Sequence, residues 1–441
     1  MADTIYAVAS GSVPSAIAVI RISGQQAAEI AVEMVGALPK ERQSTLRTIV
    51  HPATGRILDR GIVLWFPGPH SYTGEDYLEF QVHGSRAVLG AISGVLSERS
   101  NVRLAEPGEF SMRALLNGKT DLASLEGLAD LIQSETEFQR QQSIRVASGY
   151  LTNLVEGWRQ SLISALAIVE ASLDFVDEHD VPKETTSIVF GYVQSLIAQF
   201  KAAIADSRRA EIIRDGFMVA IVGPPNVGKS TLLNAIVRRD AAIVTDIPGT
   251  TRDAIEVRIA LGGHEIRFVD TAGIRETDNL VEAEGIKRTL RALDEADLVL
   301  SLTNPRLDSS PIYFSIDLKE RVFEVETKAD LGASPGKAAD FSISALTGNG
   351  VSELLDGVLA RVRAATAGDE LPLVTRVRHR RQIERALEDL ESLSNLPSLS
   401  NQPELISEFL RSAIFSLDTL LGRVDVEDVL GEVFSRFCIG K

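Results

Sequence analysis

The sequence predicts a multidomain chain of α/β and all-α parts: an N-terminal α+β domain, a helical domain split in two along the chain, and a doubly wound α/β unit inserted between the halves. Three observations carry that expectation. Phe217–Thr231 reads F-M-V-A-I-V-G-P-P-N-V-G-K-S-T, a short, partly β-branched apolar run followed by the G-x-x-x-x-G-K-[ST] spacing at Gly223, Gly228, Lys229 and Ser230. From about Ile212 to Ala365, strand-like and helix-like stretches alternate, the pattern of a parallel sheet covered on both faces. On either side, apolar residues recur at helical spacing, with Leu151, Leu154, Trp158, Leu162, Leu166, Val169 and Leu173 before the unit and Leu405, Phe409, Ala413, Leu417 and Leu421 after it. Such stripes need partner helices, so the two flanks are expected to pack together. The expected domains are residues 1–118, 119–210, 211–368 and 369–441, the second and fourth forming one discontinuous helical domain.

Composition limits the function classes. A chain of 441 residues has room for several cores, and 44% hydrophobic with 24% charged residues is ordinary for a globular protein. No apolar run is expected to reach the length of a membrane span. The start, M-A-D-T-I-Y-A-V-A-S, lacks the basic flank of a secretory signal. One cysteine, Cys438, excludes an internal disulfide. The expectation is a cytoplasmic protein with no membrane partner. A net charge of -16 repels a phosphate backbone, so a nucleic-acid substrate needs local basic patches or a helper protein to hold it.

In chain order, Ala16–Ser23 alternates as a strand, Ala27–Val35 reads as a helix, and Gly61–Phe66 and the run ending at Gly84 read as strands. P-G-P-H-S-Y-T-G-E-D at Pro67–Asp76 and P-G-E-F-S-M-R-A at Pro107–Ala114 read as loops, of the kind in which aromatic and ionisable binding residues gather. From about Lys119 to Asp206 the chain is mainly helical, with a break in the acidic stretch after Asp174, which reads as a solvated helix end rather than a metal site. A further helix runs from Ser187 to Arg209.

The cradle chemistry follows from its residue types. Main-chain N–H groups wrap a phosphate chain only where side chains vanish, at Gly223 and Gly228, and where a helix begins with its positive end toward the anion. Lys229 then brings charge to the outer phosphates and Ser230 a hydroxyl to Mg²⁺. Downstream, G-T-T-R-D at Gly249–Asp253 and D-T-A-G at Asp270–Gly273 supply the remaining parts of a GTPase: Thr251 and, through water, Asp270 for the Mg²⁺ shell, and the Gly273 N–H for the γ-phosphate. T-K-A-D at Thr327–Asp330 occupies the place of the guanine-reading N-K-x-D, and S-A-L at Ser344–Leu346 follows. Asp330 can accept from both donors of the guanine edge, which adenine lacks; Thr327 departs from the usual Asn. Ile274 stands where many small GTPases place a water-orienting Gln, so hydrolysis must recruit another group. Asn226 suggests a monovalent cation, although Asn is also a common turn residue.

The ending F-C-I-G-K, the segments D-T-A-G-I-R-E and V-E-A-E-G-I, and the N-terminal R-I-S-G, F-P-G-P-H-S-Y-T-G-E-D and P-G-E-F-S-M-R-A closely resemble the MnmE (TrmE) family of tRNA-modification GTPases. The resemblance runs over essentially the whole chain. It implies a homodimer built from an N-terminal folate-binding and dimerising domain, a discontinuous helical domain and an inserted Ras-like G domain. It also implies a partner, the FAD-containing MnmG (GidA), with which carbon five of the wobble uridine in certain tRNAs gains an aminomethyl or carboxymethylaminomethyl group. The carbon would come from a 5-formyl- or methylene-tetrahydrofolate. By matching positions, GTP falls on Asn226, Val227, Gly228, Lys229, Ser230 and Thr231, on Thr245, Asp246, Ile247, Pro248, Gly249, Thr250 and Thr251, on Asp270, Thr271, Ala272 and Gly273, and on Thr327, Lys328, Asp330, Ser344 and Ala345. Asn226, Thr245, Ile247 and Thr250 would hold K⁺, Ser230 and Thr251 Mg²⁺, and Glu282 would orient the attacking water. Arg21, Glu79, Lys119 and Lys441 would hold the folate. A ribosome-assembly GTPase is the alternative, but it calls for a basic RNA-binding module, and none is found in the sequence.

Overall fold

The computed structural model describes residues 3–174, 183–239, 256–270, 293–304, 321–332, 339–395, 403–424 and 440. The chain divides into two compact units, Met1–Ala129 with Thr152–Glu156 and Ile414–Lys441, and Asp130–Leu151 with Gly157–Ala413.

In the first unit, alternating apolar residues build a sheet from β1 (Thr4–Val8), β2 (Ser15–Ser23), β3 (Thr45–Val50), β4 (Ile57–Phe66), β5 (Tyr77–Gly84) and β6 (Val102–Leu104), in the order β3-β4-β5-β2-β1-β6. All pairings are antiparallel except β1 with β6. Period-two alternation puts Ala18, Ile20 and Ile22 of β2 on one face, with Leu78, Phe80 and Val82 of β5. Helices α1 (Ala27–Val35) and α2 (Arg86–Ser97) cover that face, each fully buried Ile or Leu contributing roughly 1.5–3 kcal/mol. The other face holds a smaller cluster of Ile5, Ala7, Tyr77, Ala105 and Phe110. Strand β4 begins at Ile57 rather than Gly61. Pro107–Ala114, expected as a loop, is largely helix α3 (Glu109–Leu116), entered through Gly108 at φ 71°. A buried ion-pair network makes this charged helix compatible with burial.

Helices α4 (Leu122–Gln133), α5 (Glu137–Ala147), α6 (Tyr150–Asp174) and α7 (Lys183–Asp215) follow. In α6 the buried stripe includes Leu151, Val155, Trp158, Leu162, Ala165 and Val169; Leu154 and Leu166 are only half-buried, because the stripe drifts at 3.6 residues per turn. Helix α7 begins before Ser187 and continues past Arg209 to Asp215. Its Ser187–Asp215 portion contains an 18-residue stretch of mean hydropathy 1.4, which meets the length and composition of a membrane span and corrects the expectation of no such run. Val193, Leu196 and Phe200 of α7 are buried, and Phe200 meets Trp158 edge-on at 4.9 Å, as in a core helix.

The inserted sheet comprises β7 (Phe217–Val222), β8 (Glu256–Leu261), β9 (His264–Asp270), β10 (Leu298–Thr303), β11 (Val322–Thr327) and β12 (Phe341–Ile343), ordered β12-β11-β10-β7-β9-β8, with α8 (Lys229–Arg239) and α9 (Val351–Thr366). Every pairing is parallel except the β8–β9 hairpin, and the central strands β7 and β10 are near-continuous buried apolar runs because both faces are covered. Helices α10 (Val377–Ser394) and α11 (Pro403–Leu421) close the described chain. In α11 Ile406, Leu410, Ala413, Leu417 and Leu420 are buried, while Leu405 and Phe409 are half-buried. The flanks do meet: α10 joins α7 through Lys201–Glu391 and Gln194–Ser394, and α11 joins α6 through Arg411–Glu170.

Candidate functional site

In an open parallel sheet, loops at the carboxyl ends of the strands converge where the strand order reverses. Here β7 lies between β10 and β9, with Ile221 opposite Asp270. The cradle Gly223–Gly228 leaves the end of β7 and runs into α8. Gly223 is required because a Cβ there would come within 2.7 Å of the Leu302 carbonyl oxygen, and Gly228 because its φ is +116°. Asn226 is also left-handed, at φ 63°, and its side chain is exposed. Lys229 is buried, and its Nζ donates to the carbonyls of Gly223 at 2.5 Å and Pro224 at 3.1 Å. Burial pushes its pKa down, opposed by the Asp270 carboxylate; an anionic phosphate chain would satisfy this ammonium better than two carbonyls do. Ser230 Oγ donates to Asp270 Oδ2 at 3.4 Å, so the hydroxyl and carboxylate expected around Mg²⁺ converge, a donor set of hard oxygens that suits this ion.

The residues expected to read guanine lie at the ends of neighbouring strands. Thr327 ends β11, and its register partner Ile343 ends β12, so Thr327–Asp330 and Ser344–Ala345 leave the same edge side by side. The Thr327 hydroxyl donates to the Val227 carbonyl at 2.7 Å and lies 3.2 Å from that of Thr303, tying the end of β11 to the cradle. Lys328 is left-handed at φ 59°, and Asp330 follows on an exposed turn. Ser344 is buried; its N–H donates to Asn349 and its Oγ accepts from Thr347. Thr245, Asp246, Ile247, Pro248, Gly249, Thr250, Thr251, Thr271, Ala272, Gly273, Ile274 and Glu282 lie outside the described residues, as do Cys438 and Lys441.

A second site lies in the first unit. Arg21 and Glu79, directly opposite on β2 and β5, form an ion pair at 3.2 Å on the wall of a cavity of about 400 Å³ also lined by Phe66, Tyr72, Tyr77 and Leu128. The Tyr77 hydroxyl donates to the same Glu79 oxygen, Oε1, at 3.3 Å, and burial pushes the Tyr77 phenol well up, so it stays a donor. Arg21 Nη1 donates to the carbonyl of Gly440 at 3.2 Å, which brings the chain end to this cavity. Lys119 does not line the cavity; its Nζ donates to Pro69 O at 2.8 Å, in the loop that carries Tyr72. Aromatic walls with a carboxylate and a guanidinium suit a flat heterocycle with a donor edge and an anionic tail. Sequence reading named none of Phe66, Tyr72, Tyr77 and Leu128 as lining residues; the signals were the Pro67–Asp76 loop, which carries Tyr72, and the i, i+2 relation of Tyr77 and Glu79, which puts both on one strand face.

A buried network holds the rim. Arg113, 1% exposed, donates to Glu109, Glu75 and the Asp3 carbonyl. Glu109 also accepts from both Nη atoms of Arg103, and Glu75 accepts from Ser23 at 2.7 Å. Tyr72 is anchored through its hydroxyl to Ser111 of α3 at 2.8 Å. Burial alone raises the Glu109 carboxyl, but the bonds from Arg103, the Glu106 N–H and Arg113 bring it below the usual carboxylate range.

Comparison with known proteins joins the two sites. The family description "GTP-binding protein TrmE N-terminus" matches residues 4–119, and "MnmE helical domain" matches residues 122–438. A protein of Hyphomonas neptunium named tRNA modification GTPase MnmE is 45% identical over 441 residues, covering 100% of this chain and 99% of its own length. The chain belongs to the MnmE family. Proteins of the same name from Azorhizobium caulinodans, 46% identical over 439 residues and 99% of their own length, and from Cereibacter sphaeroides, 47% identical over 440 residues and 100% of their own length, match all of it as well. The MnmE-family match therefore takes in both the aromatic cavity and the phosphate cradle.

Proposed function

We propose that the protein is a GTPase of tRNA modification: it binds and hydrolyses GTP at the cradle and takes part in building the carbon-five substituent of wobble uridine. The observation that carries this is the convergence, on one sheet edge, of Lys229, the Ser230–Asp270 pair and the Thr327-braced loop bearing Asp330, in a chain whose full-length relatives are named tRNA modification GTPases. Ser230, Thr251 and Asp270 would serve Mg²⁺, which supplies charge neutralisation at the phosphates. Asn226, Thr245, Ile247 and Thr250 would serve K⁺, and Glu282 would orient water where Ile274 cannot.

The aromatic cavity is read as the tetrahydrofolate site, with Arg21, Glu79, Lys119 and Lys441 as its polar contacts. Glu79 Oε1 is held by Arg21 and Tyr77, which orients the carboxylate toward the donor edge of a pterin. A homodimer is supported by exposed apolar residues on the N-terminal sheet, Ile17, Leu46 and Ile62. The FAD-containing MnmG (GidA) is the expected second partner, and a helper of this kind fits a chain of net charge -16 acting on tRNA.

A reconstituted reaction with GTP, the folate, the flavoprotein and tRNA tests the reading through the wobble nucleoside released on digestion. Wild type should modify uridine in K⁺ and lose most GTP turnover in Na⁺. Asp330→Asn should move nucleotide preference from GTP toward xanthosine triphosphate. Unmodified uridine in the complete mixture, or an unchanged preference in the variant, would count against it.

A further inference from the structure

Helix α5 lies outside the inserted sheet in sequence, yet it holds the base of that sheet at three places. Its N-terminus is closed by a capping box, Thr136 Oγ1 accepting from the Gln139 N–H and Gln139 Oε1 from the Thr136 N–H. The two amide hydrogens of Gln139 then go outward: Nε2 donates to Glu265 Oε2 at 2.6 Å and to the carbonyl of Arg214 at 3.0 Å. Phe138 stacks on His264, with centroids 4.3 Å apart and planes at 15°. Gly263 makes room for this, since even a Cβ there would lie 3.2 Å from the Phe138 ring. One turn further on, Gln142 donates to the Pro372 carbonyl and Arg145 pairs with Glu370, both at 3.2 Å. One helix thus grips the segment leading into β7, the segment following α9, and the turn of the β8–β9 hairpin.

The hairpin is the informative contact. Its β9 strand runs from His264 and Glu265, held by α5, to Asp270 beside Ser230, roughly 20 Å away at about 3.3 Å per residue. In sequence, β8 follows directly on the G-T-T-R-D segment, and β9 leads directly into T-A-G. A strand pair is stiff along its axis, so a displacement at the Asp270 end has a direct route to the turn, where α5 is seated. The network is satisfied: Glu265 Oε1 is taken by Arg258 at 3.2 Å while Oε2 faces Gln139.

We propose that α5 is the element through which the nucleotide state of the inserted unit is transmitted to the rest of the chain, and that Gln139 is a positioning residue for the coupling of GTP turnover to tRNA modification. The proposal rests on the GTPase and tRNA reading above. The test uses the full chain. Gln139→Glu keeps the capping box, because a carboxylate still accepts from Thr136, but sets two carboxylates against each other at Glu265 and removes the donor to the Arg214 carbonyl; adding Glu265→Gln restores the donor–acceptor pair at residue 265 with the polarity reversed, though not the bond to Arg214. Hydrogen exchange of the 137–147 amides is compared in GDP and in GDP with aluminium fluoride, Mg²⁺ and K⁺, and modified wobble uridine is counted per GTP hydrolysed in the complete mixture.

Wild type should show different α5 exchange in the two nucleotide states. Gln139→Glu should lose that difference and yield about fivefold or more less modified uridine per GTP while still binding GTP, and the double variant should recover both. A wild-type α5 that exchanges identically in the two states overturns the proposal, as does a Gln139→Glu protein with normal yield, or a defect the double variant does not repair. A wild type that fails to hydrolyse GTP at all overturns the functional reading as well, and is told apart by that assay alone.

Discussion

Thr327 shows how one side chain can brace the cradle from a neighbouring strand. Its hydroxyl has one hydrogen to give, and the 2.7 Å contact to Val227 takes it in preference to the 3.2 Å approach to Thr303. Thr327→Val keeps the shape, removes the donor and leaves a buried cradle carbonyl unpaired, a loss of about 1–3 kcal/mol. GTP and GDP affinity should fall together by about 5–150-fold, with the preference for guanine over xanthine unchanged because the proposed base contact sits on Asp330. Thr327→Ser should bind nearly as wild type does. Titration with fluorescent nucleotides checks this, and a Val variant of normal affinity would remove the brace. The cradle residues were legible from spacing because phosphate recognition is made by contiguous backbone. That Thr327 replaces Asn without losing the link to the cradle was not, since its acceptor lies a long way back in the sequence.

At the scale of elements, α3 is the instructive departure. Its sequence, E-F-S-M-R-A-L-L, carries two charges, and the proline and glycine before it signal a loop. What makes it a buried helix is pairing of Arg113 with Glu109 at i, i+4 and with Glu75 from another loop. Arg113→Met should cost roughly 3 kcal/mol, because Glu75 loses its ion-pair partner and buried Glu109 is left with Arg103 alone, and should loosen Tyr72 at the cavity through Ser111. Urea midpoints at neutral pH measure the loss; a change within experimental error would refute the network's role. The Glu109 pKa is lower folded than unfolded, so its stabilisation is complete above the unfolded value of about 4.3 and fades as pH falls below it. The gap between wild type and Arg113→Met should therefore narrow in acid. Amphipathic periodicity made α1, α6 and α11 readable, but it fixed their buried faces only to within a residue, as Val155 and Ile406 show.

For the whole molecule, α1 and α2 cover one face of the N-terminal sheet, and the other carries the cluster of Tyr77 and Phe110, while on that face Leu46 and Ile62 stand directly opposite each other and are 57% and 38% exposed. On the homodimer reading proposed above, this apolar pair is part of the contact face, and a stable dimer needs about 1,600 Å² of total buried surface. Replacing Leu46 and Ile62 together with Lys should convert a dimer into a monomer by sedimentation at micromolar concentration, leaving GTP affinity unchanged. A wild type that sediments as a monomer, or a variant that remains dimeric, would exclude this face.

The sequence by itself determined the phosphate cradle, the alternation of the inserted sheet, the helical flanks and the family, because each is written in short-range spacing or in contiguous motifs. Arg21 and Glu79 entered through family resemblance. Only the tertiary structure decided what surrounds them: strand register sets them opposite each other, three aromatic residues from β4, β5 and the intervening loop close the cavity, and α3 is held by charges drawn from three segments. It alone decided that α5, separated in sequence from the sheet it grips, holds both chain crossings and the hairpin turn. Local propensity specifies elements, whereas pairing between distant buried polar groups depends on which elements the fold has already brought within hydrogen-bonding reach.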